Sequence, residues 1–231
     1  MTNKKTKIVA VIPCYNTASH IAEVVTKTLL YVDQVIVVDD GSTDDTAKVA
    51  RKAGAQVISH DRNIGYGAAI RTCFREAQRN YNDILITIDG DGQHNPDEIP
   101  QVLFPILKNE ADLVIGSRFL DINSSIPTYR RLGIKAITLL YNLGSGVKVS
   151  DAQSGFRAYS RKILDAFTVT ENGMGVSVEL LIMARRKDFR IKEIPITCIY
   201  HEDSSTKNPV VHGLGVAFAV VKLRLKNKRL G

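Results

Sequence analysis

At 231 residues, with 44% apolar and 24% charged residues, the chain has the length and composition of one large globular domain, or of one domain with an appended segment. Its three cysteines, Cys14, Cys73 and Cys198, are too far apart for a ligand spacing; they exclude a disulfide framework and a zinc site and suggest a reducing compartment. The formal net charge is +7, and no apolar run approaches the roughly 20 residues that a spanning helix needs, so the expected location is the cytoplasm or the cytoplasmic face of a membrane.

In chain order, strand and helix signals alternate. "KIVAVIP" and "QVIVVDD" are short runs rich in valine and isoleucine, the pattern of parallel strands covered on both faces. The run "IVAVIPCY" is too short for a signal-peptide core and reads as the first strand. Between the two strands, "ASHIAEVVTKTLLYV" carries apolar residues at a helical period. "STDDTAKVARKAGA" follows as a helix with Ser42 or Thr43 as N-cap, acids in its first turn and Gly54 as its stop. Strand "QVISH", helix "GYGAAIRTCFREAQRN", strand "DILITID", helix "PDEIPQVLFPILKN" and strand "DLVIGS" complete five βα units. That rhythm predicts an α/β sheet with helices on both faces.

After Ser117 the rhythm breaks. A polar loop, "LDINSSIPTY", leads into "RRLGIKAITLLYNLGSG", which is basic at its start and apolar through its middle. A strand "SGFRAYS", helices "RKILDAF" and "VSVELLIMARRKD", and a strand "RIKEIPITCIY" follow. The last segment, 204–231, holds six of the 31 Lys and Arg and no acid; the other 25 nearly balance the 24 Asp and Glu. A basic tail beside an apolar run suits an anionic partner. The expected organisation is one catalytic domain over 1–203, including an insertion at 120–150, and a basic amphipathic segment over 204–231.

In open α/β sheets, ligands bind at the carboxyl ends of the strands, near the point where strand order reverses. The chain has polar turns at each such end: Pro13-Cys14-Tyr15-Asn16, Asp39-Asp40-Gly41-Ser42, His60-Asp61-Arg62-Asn63, Asp89-Gly90-Asp91 and Gly116-Ser117-Arg118. No GxGxxG follows the first strand, and there is no Walker A sequence. A lysine-free site with paired acids points instead to a metal-bridged diphosphate. Mg²⁺ or Mn²⁺ takes oxygen ligands from one or two carboxylates together with substrate phosphates. Asp89 and Asp91 supply the carboxylates, and Gln93 adds a neutral oxygen on the same side of the turn.

The ordered set "VVDDGSTDDT", "RNIGYGAAIRTC", "TIDGDGQHNPDEI", "GSRF" and "VSDAQSGFRAYSRKIL" resembles the family 2 glycosyltransferases over about residues 7 to 200. Within that family the likeness is to the dolichyl-phosphate mannose synthase and polyprenyl-phosphate hexosyltransferase branch. The resemblance implies a GT-A (Rossmann-like) fold: a mixed, mainly parallel sheet with helices on both faces and peripheral amphipathic helices. It implies inverting transfer of a hexose, mannose or glucose, from GDP-mannose or UDP-glucose to a polyprenyl (dolichyl) phosphate. By motif match, Pro13, Tyr15, Asn16, Asp39, Asp40 and Asp89 would hold the donor nucleotide. Asp89, Asp91 and Gln93 would hold the metal, and Arg118 a phosphate.

On the acceptor side, a phosphate monoester is already an anionic nucleophile and needs cations more than a base. Arg130, Arg131 and Lys135 are the candidates. Asp151 is kept as a positioning or donor-sugar residue; it would be the base in the alternative reading, transfer to a sugar or glycan hydroxyl. His94 is expected to order the metal turn, and Glu179 is either a site residue or an ordinary helix acid. Lys207 falls where relatives carry a basic loop over the donor, while His201 stands where they often carry arginine, which leaves that phosphate clamp open. Membrane contact would be peripheral, through 129–145 and the basic tail, or through a small integral partner. Nucleic acid is not expected. "PCYNTASH" carries no arginine or lysine, which argues against a nucleotidyltransferase, and the intact Asp89, Asp91 and Arg118 argue against an inactive scaffold.

Overall fold

The computed structural model describes residues 5–80, 82–121, 126–143 and 146–200. The first half is the expected alternation: β1 (Ile8–Cys14), α1 (Ile21–Thr28), β2 (Gln34–Asp39), α2 (Thr46–Lys52), β3 (Gln56–Ser59), α3 (Tyr66–Arg79), β4 (Ile84–Thr87), α4 (Ile99–Leu107) and β5 (Leu113–Ser117). The second half adds α5 (Thr128–Asn142), β6 (Arg157–Ser160), α6 (Arg161–Ala166), α7 (Val176–Arg186) and β7 (Ile191–Pro195).

The seven strands form one sheet in the order β3-β2-β1-β4-β6-β5-β7. All pairs are parallel except those of β6, which runs antiparallel to both β4 and β5. Chain order reverses beside β1, whose neighbours are β2 and β4, so the crevice above their carboxyl ends is where a ligand should sit. Val9 and Val11 of β1 face one core layer with Phe74 of α3, Tyr141 of α5 and Leu181 of α7. Ala10 and Ile12 face the other, with Val25 of α1, Ala50 of α2 and Val102 of α4. A strand buried on both faces has no polar side to show, which is why the sequence reads as an unbroken apolar run.

One boundary differs from expectation. Helix α2 starts at Thr46, with Asp45 rather than Ser42 or Thr43 in the N-cap position. Ser42 and Thr43 are instead spent on Asn16: its N–H donates to Ser42 Oγ (2.9 Å), and its Oδ1 accepts the Thr43 N–H (2.8 Å). Asp44 accepts N–H groups from both Ala18 and Thr46, so the acid locks a turn instead of opening a helix. Gly41 (φ +72°) permits this, since a Cβ there would lie 2.4 Å from the Arg62 carbonyl carbon. Gly54 ends α2 as expected, at φ +101°.

Among the described residues no helix is long and apolar enough to cross a membrane. The 204–231 segment, with Lys207, and also His201, lie outside the described residues.

Candidate active site

The donor side begins at the ends of β1 and β2. Pro13 is buried, Tyr15 is 42% exposed at the crevice rim, and Asn16 takes a left-handed φ of +53°, which asparagine tolerates. Asp39 Oδ1 accepts the Ser42 N–H (3.0 Å), and its other oxygen has no hydrogen bond among the described residues. Asp40 is different. Its Oδ1 meets His60 Nδ1 (2.8 Å) and the Ile64 N–H (3.1 Å), and Oδ2 takes the Gly65 N–H (2.8 Å). With both oxygens occupied and the residue 3% exposed, Asp40 holds the loop before α3. The expectation that it touches the nucleoside is revised: it shapes that wall from beneath.

The turn after β4 carries Asp89 and Asp91, both partly buried. Asp89 is gripped from three sides. Tyr66 donates its hydroxyl to Oδ1 (3.0 Å), His94 Nε2 lies 3.5 Å from Oδ2, and Gly155 lies against the carboxylate. A Cβ on Gly155 would stand 2.2 Å from Asp89 Oδ2, so only glycine allows this approach. Asp91 Oδ1 accepts the Gln93 N–H (3.1 Å), and Gly92 (φ +73°) turns the chain against the His20 ring.

The two carboxyls are driven apart electrostatically. Burial works to raise Asp89, but the hydrogen bond and charge of His94, the Tyr66 bond and the Arg118 charge outweigh it, so its pKa falls below the usual value. Asp91 moves up, first through burial and then through the negative charge of Asp89. The turn therefore holds one negative charge firmly and the second at a cost, a cost that a divalent cation would remove. Among the described residues no group of three His, Cys, Asp or Glu could hold a metal. Two carboxylates and an amide oxygen suit Mg²⁺ or Mn²⁺, whose remaining oxygen ligands come from water and diphosphate. The donor set fits.

Arg118, after β5, was expected to offer its fork to a phosphate. Instead its Nε and Nη2 donate to Asp151 Oδ2 (2.7 Å) and Oδ1 (2.8 Å). Asp151 is fully buried. Burial would raise its pKa, but the Arg118 charge and hydrogen bonds more than offset that and hold it below the ordinary carboxylate range. One expectation is corrected by this pair: Arg118 keeps only part of its fork for a ligand. Asp151, expected as a positioning or donor-sugar residue, has both oxygens engaged by Arg118. Glu193 of β7 fixes the loop around it by accepting the Ser150 (2.7 Å) and Asp151 (3.0 Å) N–H groups.

Helix α5 brings part of the acceptor set to the same end of the sheet. The Arg130 guanidinium lies 5.1 Å above the Tyr200 ring centre, and Lys135 Nζ lies 5.8 Å from the ring centre of Phe119, the neighbour of Arg118. Arg131 points to solvent. Glu179 has its carboxylate engaged locally: it is buried in α7 and accepts the Thr170 (3.1 Å) and Glu171 (3.0 Å) N–H groups. That loop in turn covers the start of α3, where Cβ atoms on Gly65 and Gly67 would strike the carbonyls of Asn172 and Glu171. Sequence reasoning did not single out Tyr66 and Gly155, which hold Asp89, or Tyr200, the ring under Arg130. The only signals were a tyrosine inside "NIGYGAA" and a glycine inside "SGFR".

Comparison with known proteins agrees with this geometry. The model of the "Glycosyl transferase family 2" family matches residues 9–168. An uncharacterized protein of Methanocaldococcus jannaschii is 34% identical over 96% of this chain and 93% of its own length. A UDP-N-acetylglucosamine–dolichyl-phosphate N-acetylglucosaminyltransferase of Methanococcus voltae is 30% identical, over 94% of this chain and 96% of its own. Among solved structures, the glucosyl-3-phosphoglycerate synthase of Mycobacterium tuberculosis in complex with Mn²⁺, UDP and glucosyl-3-phosphoglycerate superposes with a TM-score of 0.75. It is 27% identical and covers 94% of this chain and 80% of that one. A mixed sheet with a paired-carboxylate turn at its switch point, in a chain that this family's model matches over most of its length, belongs to glycosyltransferase family 2.

Proposed function

We propose that the chain transfers a hexose, with inversion, from a nucleotide diphosphate sugar to a polyprenyl phosphate at a membrane surface, with Mg²⁺ or Mn²⁺ held by Asp89, Asp91 and Gln93. One observation carries the choice of a phosphate acceptor. A hydroxyl acceptor needs a general base, and Asp151, the carboxylate considered for one, is buried with its oxygens spent on Arg118. A phosphate monoester needs only cations to place it, and Arg130 and Lys135 stand on the side of the crevice where it would enter.

In the reaction, an acceptor phosphate oxygen attacks the anomeric carbon from the face opposite the diphosphate. A carbon–oxygen bond forms to the acceptor as the bond to the diphosphate breaks, and the electron pair leaves with the nucleoside diphosphate. No proton has to move. The bound cation would neutralise the charge gathering on that leaving group. Asp39 and Tyr15 would line the nucleoside, while Arg118, held by Asp151, would keep a positive charge beside the diphosphate. The Methanococcus voltae relative is named for UDP-N-acetylglucosamine and the Mycobacterium tuberculosis structure holds UDP, so UDP-glucose and UDP-N-acetylglucosamine stand beside GDP-mannose as donors to test.

Helix α5 supports the membrane part of this reading. Tyr129, Leu132, Ala136, Leu139 and Leu143 recur every three or four residues and all are exposed, with Arg131 and Lys135 on the flanks. An outward apolar stripe with basic edges suits the surface of an anionic bilayer, where a polyprenyl phosphate resides.

The test is a panel of labelled nucleotide sugars against short-chain polyprenyl phosphates. One donor should give product of inverted anomeric configuration. EDTA or Asp91→Ala should lower the rate at least about a thousandfold, the scale of lost charge stabilisation at a leaving group, with the thermal midpoint unchanged. Transfer to a soluble sugar hydroxyl and none to polyprenyl phosphate would overturn the acceptor, and nucleotide affinity indifferent to EDTA would overturn the metal.

A further inference from the structure

The chain beyond β7 is tied across the metal turn. Glu98 accepts the N–H (2.9 Å) and the hydroxyl (3.0 Å) of Thr197. Cys198 forms an isolated antiparallel bridge with His94, and the Ile199 N–H donates to the Gln93 carbonyl (2.9 Å). These three ties come from the segment between β4 and α4, and they deliver Tyr200 to the acceptor side of the crevice.

There Tyr200 lies between two guanidiniums. Its ring is the platform under Arg130, at 5.1 Å, and the positive charge of Arg118 acts on its hydroxyl. Arg118 spends Nε and Nη2 on Asp151, so only its remaining amino group is uncommitted to that pair, and Arg118 also acts on the Tyr200 hydroxyl. The Tyr200 hydroxyl oxygen is itself buried; no described residue meets it in good hydrogen-bond geometry, and the Arg118 and Cys198 side chains beside it act as weak, poorly aligned partners. A buried phenol hydroxyl with only poorly aligned neighbours gains from a better acceptor, and a phosphate oxygen beside two guanidiniums is one. Burial pushes the phenol up to about 12 despite the pull of Arg118, so at neutral pH the group is a donor.

We infer that Tyr200 binds the acceptor phosphate: its hydroxyl donates to a phosphate oxygen while its ring fixes Arg130 so that both donors converge on one group. This rests on the phosphate acceptor proposed above. The two contributions separate by substitution, because Tyr200→Phe keeps the platform and loses the hydroxyl, while Tyr200→Leu loses both.

The experiment measures binding of a short-chain isoprenyl phosphate by calorimetry to the full chain with Mg²⁺ and a nucleoside diphosphate, and then steady-state transfer. Tyr200→Phe should raise the acceptor Kd and KM about tenfold, the scale of one hydrogen bond to a charged group. Its nucleoside diphosphate affinity should stay at the wild-type value. Tyr200→Leu should lose about tenfold more as Arg130 is released. An unchanged acceptor Kd in Tyr200→Phe, or a loss that falls on the nucleotide instead, overturns the inference while the transferase reading stands. Isoprenyl phosphate that binds, weakens with Tyr200→Phe, yet is never glycosylated, supports the inference and overturns that reading. Wild-type protein that does not bind isoprenyl phosphate overturns both.

Discussion

The turns after β1, β2 and β4 are knitted by carboxylates that each meet two or more partners, backbone N–H groups for Asp40 and Asp44 and side chains for Asp89, with Asp151 paired to Arg118 beside them. The proposed acceptor side rests mainly on α5, where Arg130 and Lys135 lie over aromatic rings and the outer face is exposed leucine. The contrast follows the ligands proposed for each side. A nucleoside diphosphate with a metal demands donors and acceptors fixed to fractions of an ångström, so that half is preorganised. A phosphate on a long lipid arrives from a fluid surface and asks only for positive charge on a side chain that can adjust. Damage to the donor half should therefore cost stability or metal affinity, and damage to the acceptor half should cost neither.

The largest effect is expected at the buried pair. Asp151→Asn leaves the Arg118 guanidinium buried without its counter-charge and should cost about 3–5 kcal/mol, read from the midpoint of denaturant unfolding at pH 7. The sign with pH follows from the depressed Asp151 pKa. Its contribution is fully present above the unfolded carboxyl value of about 3.9 and is lost as pH falls through the lower folded value. The gap between wild type and Asp151→Asn should then close in acid; a gap that does not depend on pH would break the assignment.

Next is Gly155→Ala, which drives a methyl group into the Asp89 carboxylate while Tyr66 and His94 hold it in place. Metal-dependent nucleotide affinity should fall on the order of 10–100-fold, the range seen when a ligand loses its orientation. Calorimetry with and without Mn²⁺ would reveal it, and an unaffected Mn²⁺ increment would show that Asp89 tolerates displacement.

The smallest effects should divide the two faces of α5. Arg130→Leu is expected to raise the acceptor KM about tenfold and to leave binding to anionic vesicles unchanged, while the solvent-facing Arg131 should matter less for KM. Leu132→Glu should do the reverse, reducing vesicle sedimentation with little change in KM for a short-chain acceptor in solution. If Leu132→Glu instead shifts the oligomeric state, the stripe is a contact between protein copies.

Much of this was legible locally. Strands buried on both faces announce themselves as apolar runs, and a strand that ends in acid places that acid at the crevice, so β1, β2, β4 and β5 and the Asp89–Gln93 turn follow from the sequence. Helix α2 was misplaced because Ser42 and Thr43 look like caps by residue type. Their partner, Asn16, belongs to a different turn. Glu179 looked as much like a site residue as a helix acid for the same reason, since nothing near it in the chain names Thr170 and Glu171 as its partners.

Residue type and periodicity were thus enough for the sheet, the crevice and the paired carboxylates, because burial and backbone geometry are written every two to four residues. Tertiary structure alone decided which charges face which. The antiparallel β6 enters between β4 and β5 and sets Gly155 against Asp89, and Arg118 meets Asp151 from 33 residues away. A charge is spent on whichever partner the fold brings within about 3 Å, and no local pattern of sequence encodes that distance.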